Sequence, residues 1–102
     1  MSDSSKELIA ALEQEYDQEE GFLGLLRLGH FDSLARDRFL ELLRSIRLEP
    51  SELIDRRVVS LLWYIPLLMQ WQERRLDADE RTALQETLNA VTTELERVLG
   101  VP

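Results

Sequence analysis

The stretch Val58-Val-Ser-Leu-Leu-Trp-Tyr-Ile-Pro-Leu-Leu-Met-Gln-Trp71 decides the fold of this chain. Only Ser60 and Gln70 are polar among its fourteen residues, and Pro66 is its one proline. The run is shorter than the roughly 20 apolar residues that a membrane span needs, and charged residues flank both of its ends. We therefore predict a hydrophobic central helix. It should kink or break into two at Pro66, because proline removes a backbone hydrogen bond and clashes with the preceding turn.

A first helix is predicted ahead of this run, beginning near Ser5. Its apolar side chains recur at helical spacing: Leu8, Ile9, Leu12 and Tyr16. A helical wheel continued past Tyr16 places Glu19 among these apolar side chains, whereas Glu13 and Asp17 stay on the polar side. We therefore expect the first helix to end or bend between Gln18 and Gly21.

Three more helical segments complete the chain. A short apolar segment from Phe22 to Leu28 ends at Gly29, and Asp32 or Ser33 caps a third helix. The core face of the third helix is formed by Ala35, Phe39, Leu42, Leu43 and Ile46. A capping box, Asp77 with Glu80, opens the last helix, and its apolar stripe comprises Leu84, Leu88, Val91, Leu95 and Val98.

No segment alternates like a strand, no period repeats, and no linker is long enough to separate two domains. The sequence therefore predicts an all-α fold over residues 1–102. We expect a compact single-domain helical bundle of four to six helices around the hydrophobic central helix. The chain lacks cysteine, which excludes disulfides and thiolate sites. Because its polar first residues do not have the order of a signal peptide, a cytoplasmic location is expected.

An acidic block from Glu13 to Glu20 dominates the charge distribution, since five of its eight residues are carboxylates. The first twenty residues hold seven acids against Lys6 alone, so they contribute −6 of the total charge of −8. Such a one-sided field attracts a basic protein surface and repels nucleic acid and anionic lipid. We therefore expect a basic protein partner, and neither nucleic acid nor a membrane.

The spacing of this block leaves two interpretations open. Glu13, Asp17 and Glu20 follow one helical face, where like-charge neighbours each destabilise a helix by a few tenths of a kcal/mol. In the structural interpretation the acids form a solvated face or are matched internally by an arginine strip; in the functional one they form a docking face for the basic partner. The arginine strip comprises Arg36, Arg44 and Arg47. The predicted partner-binding residues are Glu13, Tyr16, Asp17, Glu20, Phe22 and Phe31, with the aromatic ones acting as anchors.

A second aromatic group lies in the central helix, where four residues share one side: Trp63, Tyr64, Leu67 and Trp71. Aromatic side chains are favoured as interface anchors, so they are candidates for a binding hot spot. A helix that is apolar all round is more often buried, however, and we expect these residues to belong to the core.

Motifs for catalysis, phosphate binding and calcium binding are absent from the sequence, so no catalytic residue, metal ligand or cofactor is predicted. His30 and Asp32 form a His-x-Asp pair, but a single histidine makes a poor metal site and a turn or cap is the better interpretation. The strongest enzyme alternative is a small bundle whose arginines converge on a dianionic substrate. Its candidates are Arg27, Arg36, Arg44 and Arg56.

In its size, acidity and helical composition the chain resembles the immunity proteins of bacterial toxin systems, including the helical partners of colicin-type nucleases. The resemblance rests on the acidic block and on the apolar segments Gly21 to Gly29 and Ile54 to Pro66. It is a resemblance of class, without a family motif. It implies a cofactor-free antidote that binds a basic, nuclease-type toxin domain directly. The alternative is a structural or regulatory module, homodimeric through part of Val58 to Trp71, so monomer and homodimer both stay open.

Overall fold

A computed structural model describes residues 3–48 and 53–100. Five α-helices lie within these ranges: α1 (Asp3–Glu15), α2 (Phe22–Arg27), α3 (Ser33–Ser45), α4 (Arg56–Trp71) and α5 (Ala78–Leu99), with a 3₁₀ turn (Glu73–Arg75) after α4. The same ranges contain no strand, and the predicted all-α bundle of four to six helices is confirmed. No helix in the described ranges has both the length and the apolar composition that crossing a membrane requires.

Helix α4 lies at the centre of the bundle, where it packs against α1, α2 and α5. Its inner face is formed by six buried side chains: Val58, Leu61, Leu62, Ile65, Leu68 and Met69. The helix runs without interruption through Pro66, so the alternative of a break at this residue is wrong. Proline removes only one backbone donor, and the buried side chains of Ile65 and Leu68 anchor the helix in the core on either side of it.

Local capping interactions set the starts of α3 and α5 as the sequence predicts, and the structure shows a further cap at the start of α4. The Asp32 carboxylate accepts a hydrogen bond from the first turn of α3, and Asp55 does the same for α4. At the start of α5, the Glu80 amide donates to Asp77 at 2.8 Å and the Asp77 amide donates to Glu80 at 3.2 Å. Gly29 has a φ of +85°, the left-handed conformation that a glycine adopts without strain after a helix.

The first helix ends earlier than predicted, at Glu15. The Asp17 carboxylate accepts hydrogen bonds from the backbone amides of Glu19 at 2.8 Å and Glu20 at 3.1 Å. This local turn replaces the helical backbone, as aspartate side chains commonly do. Consequently the acids after Glu15 do not share a helical face with Glu13, and Glu19 is exposed in the turn instead of facing the core.

Two glycines allow the turn of residues 16–20 to lie directly on α2. A Cβ atom on Gly24 would stand 1.9 Å from the carbonyl oxygen of Asp17, and one on Gly21 would stand 2.3 Å from that of Glu15. Any larger residue at either position would overlap with backbone atoms. The close approach of these two backbones therefore fixes the acidic turn on the bundle.

Candidate functional site

Three aromatic side chains of α4 are exposed on the side opposite its buried face. Trp63 is 53 % exposed, Tyr64 37 % and Trp71 61 %, so the expectation that they belong to the core is wrong. The Tyr64 ring contacts both tryptophans edge-on, with centroid distances of 6.2 Å to Trp63 and 5.7 Å to Trp71. We call these three residues the aromatic stripe. Helix α4 is apolar around most of its circumference, but its neighbours cover only one side.

A groove of about 390 Å³ runs between α1 and α4 beside the stripe. It is lined by Glu13, Tyr16, Arg57, Ser60, Leu61, Trp63 and Tyr64. This volume lies within the range of roughly 300–1,000 Å³ that is usual for small-ligand sites. The α1/α4 groove therefore joins the acidic end of α1 to the aromatic stripe.

An ion pair spans the α1/α4 groove. Arg57 Nη2 donates to Glu13 Oε2 at 2.9 Å, and both side chains are about half exposed. The predicted arginine strip of α3 is not the partner of Glu13. Arg36, in α3, pairs with the adjacent Asp37 at 2.8 Å, and Arg47, just after the end of α3, donates to the carbonyl of Ile46 at 3.0 Å.

Tyr16 connects the end of α1 to the middle of α4. Its hydroxyl donates to the carbonyl oxygen of Leu61 at 2.6 Å. Burial and, to a smaller extent, the neighbouring Tyr64 raise the pKa of Tyr16 to about 12, against the lowering effect of Arg57. The phenol is therefore neutral at physiological pH, and its hydroxyl hydrogen forms the hydrogen bond to Leu61 within the fold.

Glu15 belongs to the acidic block in the sequence but has a structural role. Its Oε1 accepts a hydrogen bond from the amide of Phe22 at 3.1 Å, at the start of α2. Burial raises the pKa of this carboxyl, against the lowering effects of that hydrogen bond and of Arg38. Glu15 therefore supplies, from a neighbouring helix, the acceptor that the N-terminus of α2 lacks on its own cap residue.

The acids that remain exposed beyond α1 are Asp17, Glu19 and Glu20, which we call the acid turn. None of the three forms an ion pair with another described residue. Glu20 accepts a hydrogen bond from the Gln14 side chain at 2.7 Å. Since Asp17 directly follows Tyr16, the acid turn begins where the α1/α4 groove ends.

Two of the predicted anchors do not lie in this region. Phe22 is fully buried and its ring stacks on Phe39 at 5.3 Å, so the prediction of an accessible anchor at this position is wrong. Phe31 is half-buried against the edge of Phe22, and the Arg36 guanidinium lies 5.6 Å from its ring centroid. Of the six predicted residues, Glu13 and Tyr16 line the groove, while Asp17 and Glu20 lie in the acid turn.

A second groove, of about 680 Å³, lies at the other end of the stripe. It is lined by Gln70, Trp71, Glu73, Arg74, Gln85 and Leu88. Neither groove is lined by the arginines proposed for a dianionic substrate, Arg27, Arg36, Arg44 and Arg56. Within residues 3–48 and 53–100, no three His, Asp or Glu side chains are arranged to hold a metal ion. His30 is exposed next to the turn that leads into α3, and Asp32 is used as a helix cap.

Comparisons of the chain with family models, with curated proteins and with solved structures find no match. The aromatic stripe, the α1/α4 groove and the acid turn are the features of this chain that bear on its function.

Proposed function

We propose that this chain is a non-enzymatic protein-binding domain that binds a basic protein partner through the acid turn and the aromatic stripe. Two observations carry this proposal: Trp63, Tyr64 and Trp71 are exposed, and the three carboxylates of the acid turn have no ion-pair partner within the described residues. Tryptophan and tyrosine are enriched among the residues that dominate binding energy. Surrounding acids speed the encounter with a basic partner and set its orientation.

More specifically, we propose an immunity protein that neutralises a cognate basic, nuclease-type toxin domain in the bacterial cytoplasm, without a cofactor. The net charge of −8, concentrated in the first twenty residues, supports this role because a nuclease domain presents a positive surface to its own substrate. The carboxylates would steer the toxin domain towards the chain. Burial of the aromatic stripe would then slow dissociation.

The rigidity of the acid turn also supports a binding role. Asp17 holds the turn through two backbone hydrogen bonds, and the turn lies on α2 at the close approach of Gly24. A surface that is ordered before binding loses less conformational entropy when the partner docks.

A homodimer joined through the aromatic stripe is the second candidate, and it is favoured by the same exposed rings. Charge argues against it, because two copies that each carry −8 repel one another whereas a basic partner is attracted. An enzyme is the third candidate, but neither groove gathers the arginines proposed to bind a dianion.

Photocrosslinking in the native host tests the proposal. A benzoylphenylalanine replaces Trp63 in the stripe or, as a matched control, Leu34 on α3, which is 74 % exposed and lines neither groove. We expect an adduct with a basic domain from position 63 and none from position 34. That domain, expressed alone, should arrest growth, and co-expression of the wild-type chain should restore growth, whereas a Trp63→Glu, Trp71→Glu variant should not.

Three results would overturn the proposal. An adduct of twice the chain mass as the only product at position 63 would establish the homodimer instead. Equal adducts at both positions, or none at either, would remove the aromatic stripe as a docking surface. A captured basic domain without toxicity would refute the immunity role while leaving the binding role in place.

A further inference from the structure

We propose that the α1/α4 groove is an arginine site, which receives the guanidinium of one arginine side chain of the partner. The guanidinium stacks on the Trp63 ring, contacts the Tyr64 ring, which is perpendicular to it, and hydrogen-bonds to the Glu13 carboxylate. This inference rests on the proposed function for the source of the arginine, and it adds the chemistry by which the partner is recognised.

The walls of the groove favour a planar cation. Three aromatic side chains, Tyr16, Trp63 and Tyr64, contribute to its lining. The faces of aromatic rings carry partial negative charge and attract cations, most strongly at tryptophan. Because the Tyr16 hydroxyl already donates its hydrogen bond to the carbonyl of Leu61, its oxygen can act only as an acceptor towards a ligand in the groove.

Glu13 supplies the carboxylate, and it already binds a guanidinium. Arg57 Nη2 lies 2.9 Å from Glu13 Oε2, whereas Oε1 accepts no hydrogen bond from a described residue. Exposed ion pairs of this kind contribute little to stability, so the carboxylate exchanges partners at small cost. The intramolecular pair therefore demonstrates that guanidinium geometry fits this carboxylate, and a second arginine can share it or take the place of Arg57.

The electrostatic surroundings also favour a cation over an anion. Helix α1 ends beside the groove without a basic residue in its last turn, so the partial negative charge of its C-terminus is not balanced on the helix itself. The acid turn adds three carboxylates after that end. Among the residues that the structure describes, Arg57 is the one cation that lines the groove, and Glu13 neutralises it. An anionic ligand would have to displace Glu13 and face the rings.

A titration with blocked amino acids tests the arginine site directly. The probe is N-acetyl-arginine methylamide, and its matched control is the citrulline analogue, which has the same shape without the charge. We expect saturable shifts of the Trp63 indole N–H signal in NMR spectra with the arginine probe. The citrulline analogue should bind roughly tenfold more weakly, as the loss of the cation–π contact and the charge-assisted hydrogen bond implies.

Variants separate this site from its alternatives. Glu13→Gln and Trp63→Ala should each weaken the arginine probe roughly tenfold, and Trp71→Ala should leave its affinity unchanged. Because Trp63→Ala lacks the reporting indole, its titration is followed by the backbone amide signal of Ser60, which also lines the groove. Arg57→Gln should strengthen binding, because it removes the internal competitor for Glu13. An anion site would respond to Arg57→Gln in the opposite direction. Both Glu13 and Trp63 are about half exposed, so neither variant is expected to unfold the chain.

Equal affinity for the arginine and citrulline probes, or weaker binding after Arg57→Gln, would overturn the arginine site. The two proposals fail separately. If Trp63 crosslinks to a basic domain but the arginine probe does not bind, the protein-binding function stands and the arginine site is wrong. If the probe binds with the predicted variant pattern but no crosslink forms, the site stands and the proposed function is wrong.

Discussion

The substitution Gly24→Ala should destabilise the fold, although alanine is the better helix former. Gly24 lies inside α2, where the acid turn crosses the helix. A Cβ atom at this position would stand 1.9 Å from the carbonyl oxygen of Asp17 and 2.2 Å from its carbonyl carbon. Since both are backbone atoms, no side-chain rotation relieves the overlap, and the turn has to move away from α2.

Two opposing effects determine the size of the change. Helix propensity favours alanine over glycine by about 1 kcal/mol. To reach the shortest contact that real Cβ atoms make, 3.0 Å, the turn must move by about 1 Å. A displacement of this size loses a quarter to a half of the van der Waals contact energy between the turn and α2, and overpacking typically costs about 1–3 kcal/mol. We assign about 3 kcal/mol to this backbone overlap and subtract the about 1 kcal/mol that helix propensity returns. The free energy of unfolding should therefore fall by about 2 kcal/mol, which lowers Tm by roughly 8–16 °C.

Urea and thermal unfolding followed by circular dichroism measure this loss. Gly29→Ala is the matched control, because a Cβ there meets its nearest neighbour only at 3.9 Å and the penalty comes from the φ of +85° alone. We expect Gly24→Ala to lose more stability than this control, which should lose about 1 kcal/mol. A Tm for Gly24→Ala at or above that of the wild type would refute the close approach of the acid turn to α2.

Three further predictions concern polar side chains. Arg97 donates from Nη1 and Nη2, at 3.0 Å each, to two carbonyls at the end of α3. Arg97→Ala should therefore lower the free energy of unfolding in urea by about 2 kcal/mol and lower the amide-exchange protection in that turn. Unchanged protection would contradict this prediction. Because the pKa of Tyr16 rises from 10.0 unfolded to about 12 folded, its stabilising effect is complete below pH 10 and is lost as the pH rises to 12. The difference in free energy of unfolding between the wild type and Tyr16→Phe should shrink between pH 10 and 12. If both proteins lost stability equally over that range, the raised pKa of Tyr16 would be refuted. The folded pKa of Glu15 is raised above 4.5, so its ionisation opposes folding as the pH rises through that pKa. Glu15→Gln keeps an acceptor for the amide of Phe22, so its stability at pH 7 should equal or exceed that of the wild type. A clear fall in the denaturant midpoint would show that the charge is needed.

The parts of the fold that the sequence predicts are those governed by interactions within a few residues. Asp32 caps α3 three residues away, and Asp77 and Glu80 form their capping box at the same spacing. Gly29 ends α2 through its own backbone conformation. These signals are local, so they do not depend on how the helices pack.

The end of α1 shows where two local signals compete. Continuing the helical wheel through Asp17 keeps the charged side chains on one face, but the Asp17 carboxylate also accepts the amides of Glu19 and Glu20. The turn prevails because the backbone contact at Gly24 holds it in place. That contact joins α2 to a separate segment, so no residue spacing within the sequence predicts it.

The candidate site was predicted only in part, since its key contacts join distant segments. Glu13 and Arg57 are 44 residues apart, and Tyr16 and the Leu61 carbonyl are 45 apart. The acidic block identifies Glu13 and Tyr16 as candidates, but their neighbours on α4 depend on the rotation of that helix in the bundle. The same rotation decides which aromatic residues of α4 are exposed, Trp63 among them, whereas Phe22 is buried in α2.

The exposure of the aromatic stripe is not explained by an incomplete core. The opposite face of α4 is filled by six buried side chains, and the chain still leaves Trp63 and Trp71 more than half exposed. A rotation of α4 that buried the tryptophans would turn the aliphatic side chains of its inner face into water and break the hydrogen bond from Tyr16 to Leu61. Burying a large apolar side chain is worth about 1.5–3 kcal/mol, so a surface that leaves two tryptophans exposed forgoes stability that a partner can recover on binding. Covering the stripe would therefore release part of this free energy, and under the proposed function the carboxylates of the acid turn favour a basic partner as the cover.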